Sequence, residues 1–474
     1  MSDRLLVRGG HVLTLAGSAG GSRRADVLVE DGRIAAVAPD LDASDCEVLD
    51  ARGGIVMPGF VDTHRHTWQT ALRGICADWT LLDYFRGIRL NISTELGPED
   101  MYAGNYVGAL EALDAGVTTL LDFSHCTNTP EHADEAIRGL SETGIRGVFA
   151  YGFYPVPLAD PHFTEHEQRV ADARRVRDEH FSGNDGPVAM GIALTELGLV
   201  PLDATRREIE TARELDVLVT AHIGTVGDPS WPREIELLDR EGLLDARQVH
   251  VHCNACSDAE LRLIAERGAA VSVTPETEMQ MGMGFPITGR ALACGLRPGF
   301  GCDIVSLGSG DMFNQMRMGL QMQRALDNDL DLREGRLPET IRLGTAEVLR
   351  LATVDGAAAM GLDSQVGTIE PGKRADIIVI RTDSTRFAPW NDAVAAVVLH
   401  ANAGDVDTVL VGGRVVKRDG RLLDADAARA RRLAEESRDR IMRAVDAKGG
   451  PLLALPEGWF EGVRQAVLQN VGDA

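Results

Sequence analysis

No apolar run in the chain reaches the roughly 18 residues that a membrane-spanning helix needs. The first residues, MSDRLLVRGGHVLTLAG, lack the basic stretch, apolar stretch and small-residue cleavage site of a secretory signal. Basic charge is scarce: 48 Lys and Arg stand against 72 Asp and Glu, for a net charge of −24. A surface of that sign repels phosphate backbones and anionic lipid heads, so neither nucleic acid nor a membrane is expected as a partner. Seven cysteines, an odd number in 474 residues, do not make a disulfide framework and suit a reducing compartment. A glycine-rich phosphate loop after the first strand is also missing. The glycines at 282–289 follow a late strand and include Pro286, which sets aside a doubly wound nucleotide-binding sheet. These absences leave the expectation of a soluble, cytoplasmic protein.

What is present is globular. Hydrophobic residues make up 44% and charged residues 25%, which argues against disorder. The length fits one barrel-sized domain of about 250 residues with a smaller companion. Both ends of the chain read as short strands and turns. Near the start, ADVLVEDGRIAAVAP places Asp31-Gly32 between two β-rich runs, a tight hairpin signal. The same texture returns in RADIIVI (374–380) and VDTVLVGGRVVKRDGRLL (406–423), with turns at Gly412-Gly413 and Asp419-Gly420. Residues 1–57 and 366–423 are therefore expected to form one small β-sandwich domain from both chain ends. Residues 424–474 are expected to be a helical tail, its Ala-, Arg- and Glu-rich start at 424–445 having helical spacing.

Between the ends, eight short apolar runs recur from about residue 55 to 305, most of them separated by helical patterns such as SDAELRLIAERG. Over about 240 residues that is roughly 34 per unit, the size of a βα repeat. The expected fold over 58–365 is an α/β (β/α)8 TIM-like barrel, whose chemistry sits at the C-terminal ends of its strands. Histidines fall at those ends. His64 and His66 close the first run as Asp62-Thr63-His64-Arg65-His66, and residues i and i+2 of a strand share a face. His222 ends the fifth run, His252 the sixth and Asp303 the eighth. Imidazole nitrogens with one carboxylate suit a borderline cation such as zinc, with a position left for water.

The motifs carry a resemblance. Met57-Pro58-Gly59-Phe60-Val61-Asp62-Thr63-His64-Arg65-His66, with Gln69 and Leu72-Arg73-Gly74 after it, resembles the first-strand signature of the amidohydrolase superfamily. The nearest branch is that of cytosine deaminase, S-adenosylhomocysteine deaminase and triazine hydrolases. The stretch Val366 to Asp376, VGTIEPGKRAD, resembles that family's return into its small β domain. The resemblance implies a metal-dependent hydrolase in which a metal-activated hydroxide attacks a C–N or related bond of a small nitrogen heterocycle. It implies that His64, His66, His222 and Asp303 hold one divalent ion, zinc or else iron. Asp303 would also take a proton, and His252 would stabilise the developing charge. Relatives with two metals carry a bridging lysine on the fourth strand, and the run Val188 to Leu194 has none. Homo-oligomers, often homodimers, are common among such proteins.

Two departures stand out. Ring deaminases of this kind usually read His-x-x-Glu on the fifth strand, and that Glu moves a proton to the ring. Here the sequence is His222-Ile223-Gly224-Thr225, and a threonine hydroxyl has no accessible acid–base pKa. Near the seventh strand, where Pro-x-Ser-Asn is common, the chain has Pro275-Glu276-Thr277-Glu278. Glu276 or Glu278 is therefore a candidate to replace the missing carboxylate or to bind a cationic group. The alternative is a repurposed barrel that binds a ligand without turning it over. Gln69, Trp68, Trp79, His125 and Thr225 are candidate substrate contacts, because each follows a strand end on the expected catalytic face.

Overall fold

The computed structural model describes residues 4–17, 22–42 and 44–471. Eight strands form one parallel sheet in which each pairs with its neighbour in sequence. They are β1 (Phe60–Arg65), β2 (Val117–Ser124), β3 (Arg146–Gly152), β4 (Val188–Ala193), β5 (Leu218–Ile223), β6 (Gln248–His252), β7 (Ala270–Val273) and β8 (Gly299–Phe300). Helices follow the strands, from Pro98–Asp114 after β1 to Met312–Arg333 after β8. This is the (β/α)8 barrel. Its strands are buried on both faces, so they read as continuous apolar runs rather than alternating ones; β2, VTTLLDFS, is buried at every position.

The barrel closes between β8 and β1. Asp303 N–H donates to the His64 carbonyl at 2.9 Å, and His66 N–H donates to the Asp303 carbonyl at 2.8 Å. Two glycines make that approach possible. A Cβ on Gly299 would meet the Thr63 side chain at 2.4 Å, and one on Gly301 would meet the His64 carbonyl oxygen at 2.8 Å. Closure thus brings the first and last strand ends, with three of the candidate ligands, into one place.

Strands from both chain ends join in a second, mixed sheet. Ile55–Pro58 lies between Arg4–Leu13 and Ile377–Ile380, so the two ends meet within one hydrogen-bonded ladder. Its tight turns, Asp31-Gly32, Gly412-Gly413 and Asp419-Gly420, have positive φ at both residues, as two-residue hairpins require. The chain leaves this sheet at Pro58 and enters the barrel at Phe60. A buried bidentate pair, Arg146 to Asp376 at 2.8 and 3.1 Å, ties the start of β3 to it.

The segment 67–97, between β1 and its helix, is built of short turns and covers the C-terminal mouth of the barrel. The C-terminal helix Ala427–Ala447 packs on Pro98–Asp114, where Ser437 Oγ donates to Asp100 at 2.6 Å. Beyond it, Asn91 Nδ2 donates to the Gly450 and Pro451 carbonyls, both at 3.0 Å, so the tail braces the covering segment. Among the described residues no helix is long and apolar enough to cross a membrane.

Candidate active site

His64, His66, His222, His252 and Asp303 converge at the C-terminal mouth. His64 Nε2 lies 3.3 Å and His66 Nε2 3.4 Å from Asp303 Oδ1, and His222 Nε2 is 3.3 Å from His66 Nε2. Strand ends and closure account for this. His64 lies near the end of β1 and His66 just past it, while His222, His252 and Asp303 end or follow β5, β6 and β8. His252, Cys253 and Asp303 have φ of 75°, 54° and 60°, left-handed values that cost a non-glycine residue about 1–3 kcal/mol each and that cluster at functional sites.

The electrostatics fit a cation. Burial pushes the His64 imidazole down to about 4, despite the opposing effect of Asp303, and holds His66 well below its ordinary value. Against the effect of burial, His64, with His252 and His222, brings the Asp303 carboxyl down to about 2. The donor set is thus neutral imidazoles with one carboxylate, the form in which these groups ligate a metal. His66 Nδ1 faces the Phe123 carbonyl at 2.9 Å, which leaves Nε2 unprotonated toward the centre. Both His64 nitrogens are fully buried and have no hydrogen-bond partner among the described residues, Nε2 facing the Asp303 carboxylate at ion-pair distance. A buried polar atom left unpaired is costly, and a metal ion would satisfy it. Three overlapping groups have ligand atoms within 4.8 Å of one another: His64 with His66 and Asp303, His64 with His222 and His252, and His66 with His125 and His222. The residues present therefore suit one ion of the zinc type.

A cavity opens onto this cluster. Its walls are apolar at Leu81, Phe85, Met281, Met283 and Ile304, and polar at the histidines, Thr225 and Thr277.

The candidate contacts divide. His125 and Thr225 line the cavity, and the His125 ring stacks on His66 with centroids 4.4 Å apart. Gln69 does not line it. Its Nε2 donates to Tyr84 Oη and its Oε1 accepts from Ser306 Oγ, both at 2.7 Å, so its amide holds Tyr84, which does line the cavity. The turn Thr67–Leu72 folds Trp68 into the core, and Trp79 packs against Gly87. Glu276 faces away, accepting from Gln315 Nε2 at 3.0 Å. Glu278 is fully buried behind His252. Its Oε1 lies 3.2 Å from His252 Nδ1 and accepts from Thr274 N–H at 2.8 Å. The reason is helical: Pro275–Gln280 turns Glu278 inward and Glu276 outward.

Two residues escape a sequence reading. Glu196, just past β4, and Arg89, in the covering segment, line the same cavity as an ion pair. Arg89 Nη1 and Nη2 donate to the two Glu196 oxygens at 2.6 and 3.2 Å. Burial alone would raise the Glu196 carboxyl, but Arg89 and the neighbouring histidines hold it well below its ordinary range. Glu196 Oε1 is also 3.4 Å from His222 Nδ1 and 3.6 Å from His125 Nε2. The signal available in sequence was position alone, a carboxylate two residues beyond the end of an apolar run.

Comparison with known proteins identifies a family and relatives. The amidohydrolase family model matches residues 55–416. A 5'-deoxyadenosine deaminase of Methanothermobacter thermautotrophicus is 29% identical over 430 residues, which are 89% of this chain and 95% of that protein. A 5-methylthioadenosine/S-adenosylhomocysteine deaminase of Thermococcus onnurineus is 30% identical over 418 residues, 84% of this chain and 91% of that one. Among solved structures, an adenosine deaminase of Xanthomonas campestris with bound zinc has a TM-score of 0.82 at 25% identity, covering 92% of this chain and 98% of its own. Atrazine chlorohydrolase of Arthrobacter aurescens in complex with zinc shares the fold, with a TM-score of 0.78 at 21% identity over 92% of this chain and all of its own.

Proposed function

The chain belongs to the amidohydrolase family, and from that premise we propose that its cavity binds a small nitrogen heterocycle whose C–N bond is hydrolysed with the aid of one zinc-type ion held by His64, His66, His222 and Asp303. The observation that carries the reading is the convergence of neutral imidazole nitrogens on an ionised carboxylate at the mouth of a barrel, beside a cavity with apolar and polar walls. The ion, when bound, supplies Lewis acidity and lowers the pKa of water.

The chain's own residues do the rest. The Asp303 carboxylate, ionised at neutral pH, accepts a proton from the attacking water. His252 Nδ1–H donates to Glu278, so the neutral imidazole keeps one tautomer with Nε2 bare toward the cluster. His252 Nε2 accepts from Asp303 the proton taken from the water, and the resulting imidazolium offsets the negative charge that develops on the ring. His252 Nε2 then passes that proton to the leaving nitrogen, the task for which Thr225 has no suitable group. Glu278 thus acts through His252 and does not touch the substrate. The apolar walls orient a flat ring and exclude water. All seven cysteines are free, which extends the reading to a cytoplasmic enzyme; assembly as a homodimer is likewise part of the proposal.

The test is ammonia release from a panel of amino-azaheterocycles by zinc-loaded protein, with Asp303→Asn as control. Turnover that the variant loses supports the reading. Binding of the same rings without turnover by either protein would favour a repurposed, ligand-binding barrel.

A further inference from the structure

The Arg89–Glu196 pair has no part in the proton movements above, and yet it lines the cavity. It is also rigid. The Arg89 guanidinium carbon sits 4.0 Å from the Tyr154 ring centroid, and the tail holds the covering segment through Asn91. An arginine has five N–H donors, of which the two bonds to Glu196 use two. Arg89 Nε–H is buried and has no hydrogen-bond partner among the described residues. The pair as a whole is neutral, so it gives no preference for a net anion. It sets donors beside an acceptor, and the matching ligand edge has an acceptor beside a donor.

We propose that Arg89 and Glu196 together read a lactam edge, the adjacent C=O and ring N–H of a cyclic amide, on the heterocycle bound in this cavity. Arg89 donates to the ring carbonyl, and the ring N–H donates to the Glu196 carboxylate. The inference rests on the proposed function only for what then happens to the ring. It separates this chain's ligand from an adenine ring, which has no carbonyl.

The test is isothermal titration of zinc-loaded protein with uracil and hypoxanthine, each against its N-methylated counterpart, 1,3-dimethyluracil and 1-methylhypoxanthine. The parent lactams are expected to bind at least tenfold more tightly. Arg89→Met combined with Glu196→Leu removes both charges together and should abolish the difference. If that protein does not fold, Glu196→Gln, which keeps the shape and removes the charge, should narrow it. Equal binding of parent and methylated rings, no binding of either lactam, or a preference that survives these substitutions would overturn the proposal. Ammonia release is read separately: lactam binding without turnover of any aminated ring leaves this inference standing and removes the hydrolase reading. Turnover without lactam preference does the reverse.

Discussion

Glu278→Gln is the most informative single substitution, because Glu278 is the residue whose role depends most on its burial. The side chain is fully enclosed and its Oε1 lies 3.2 Å from His252 Nδ1. Glutamine keeps the volume and an acceptor oxygen for Thr274, so the fold should hold; only the negative charge behind the imidazole is removed. A hydrogen bond to a charged group contributes about 1.5–3 kcal/mol. Applied to a transition state in which His252 carries a second proton, that is about a ten- to hundredfold loss in kcat. Substitutions behind a metal-site histidine commonly cost a similar factor. KM should change little, because Glu278 does not line the cavity. The assay is steady-state ammonia release on the best ring from the panel, with zinc content measured in parallel. Glu276→Gln is the matched control, since its carboxylate faces Gln315 outside the cavity; its kcat should stay within twofold of the parent. An unchanged kcat in Glu278→Gln, or an equal loss in Glu276→Gln, would refute the His252–Glu278 argument.

Other predictions concern stability. Burial pushes the Glu208 carboxyl up to about 8 from 4.5, against the hydrogen bonds it receives from Thr195. Between those values the unfolded chain releases a proton that the folded chain keeps, so this group's contribution is full below pH 4.5 and is lost as pH rises toward 8. The loss is roughly 5 kcal/mol at most. Glu208→Gln should therefore gain stability relative to the parent as pH rises from 5 to 8 in urea titrations, and a pH-independent gap would contradict it. Arg146→Met leaves the Asp376 charge buried and unpaired, and should cost about 3–5 kcal/mol by denaturant unfolding, with Asp376→Asn in the same chain recovering part of it. Chelation should lower Tm, and zinc should restore it, because a ligand bound only to the folded state stabilises it by about 2.7 kcal/mol at a hundredfold excess over Kd.

The architecture was legible where local chemistry decides it. Positive-φ hairpins need the Asp-Gly and Gly-Gly pairs that mark them, and strands buried on both faces must be apolar throughout, so eight runs separated by helical patterns announced a barrel. The convergence of the histidines was legible for the same reason: a histidine ending an apolar run has one place to point once the barrel closes. What depends on long-range packing was not legible. Glu276 and Glu278 are equivalent in sequence, and only the turn of Pro275–Gln280 sends one behind His252 and the other toward Gln315. Gln69 and Trp68 follow the β1 histidines closely enough to suggest substrate contact, but the Thr67–Leu72 turn spends them on packing and on Tyr84. Arg89 and Glu196 are 107 residues apart, and no local pattern marks either as half of a pair.

The central claim is that four protein groups hold one ion. Elemental analysis of the purified chain tests it most directly, with His66→Ala measured beside the parent and folding checked by circular dichroism. About one zinc-type ion per parent chain is expected, with a folded variant that has lost most of it. A folded parent chain without metal after growth in added zinc, or a variant that retains the full amount, would contradict it.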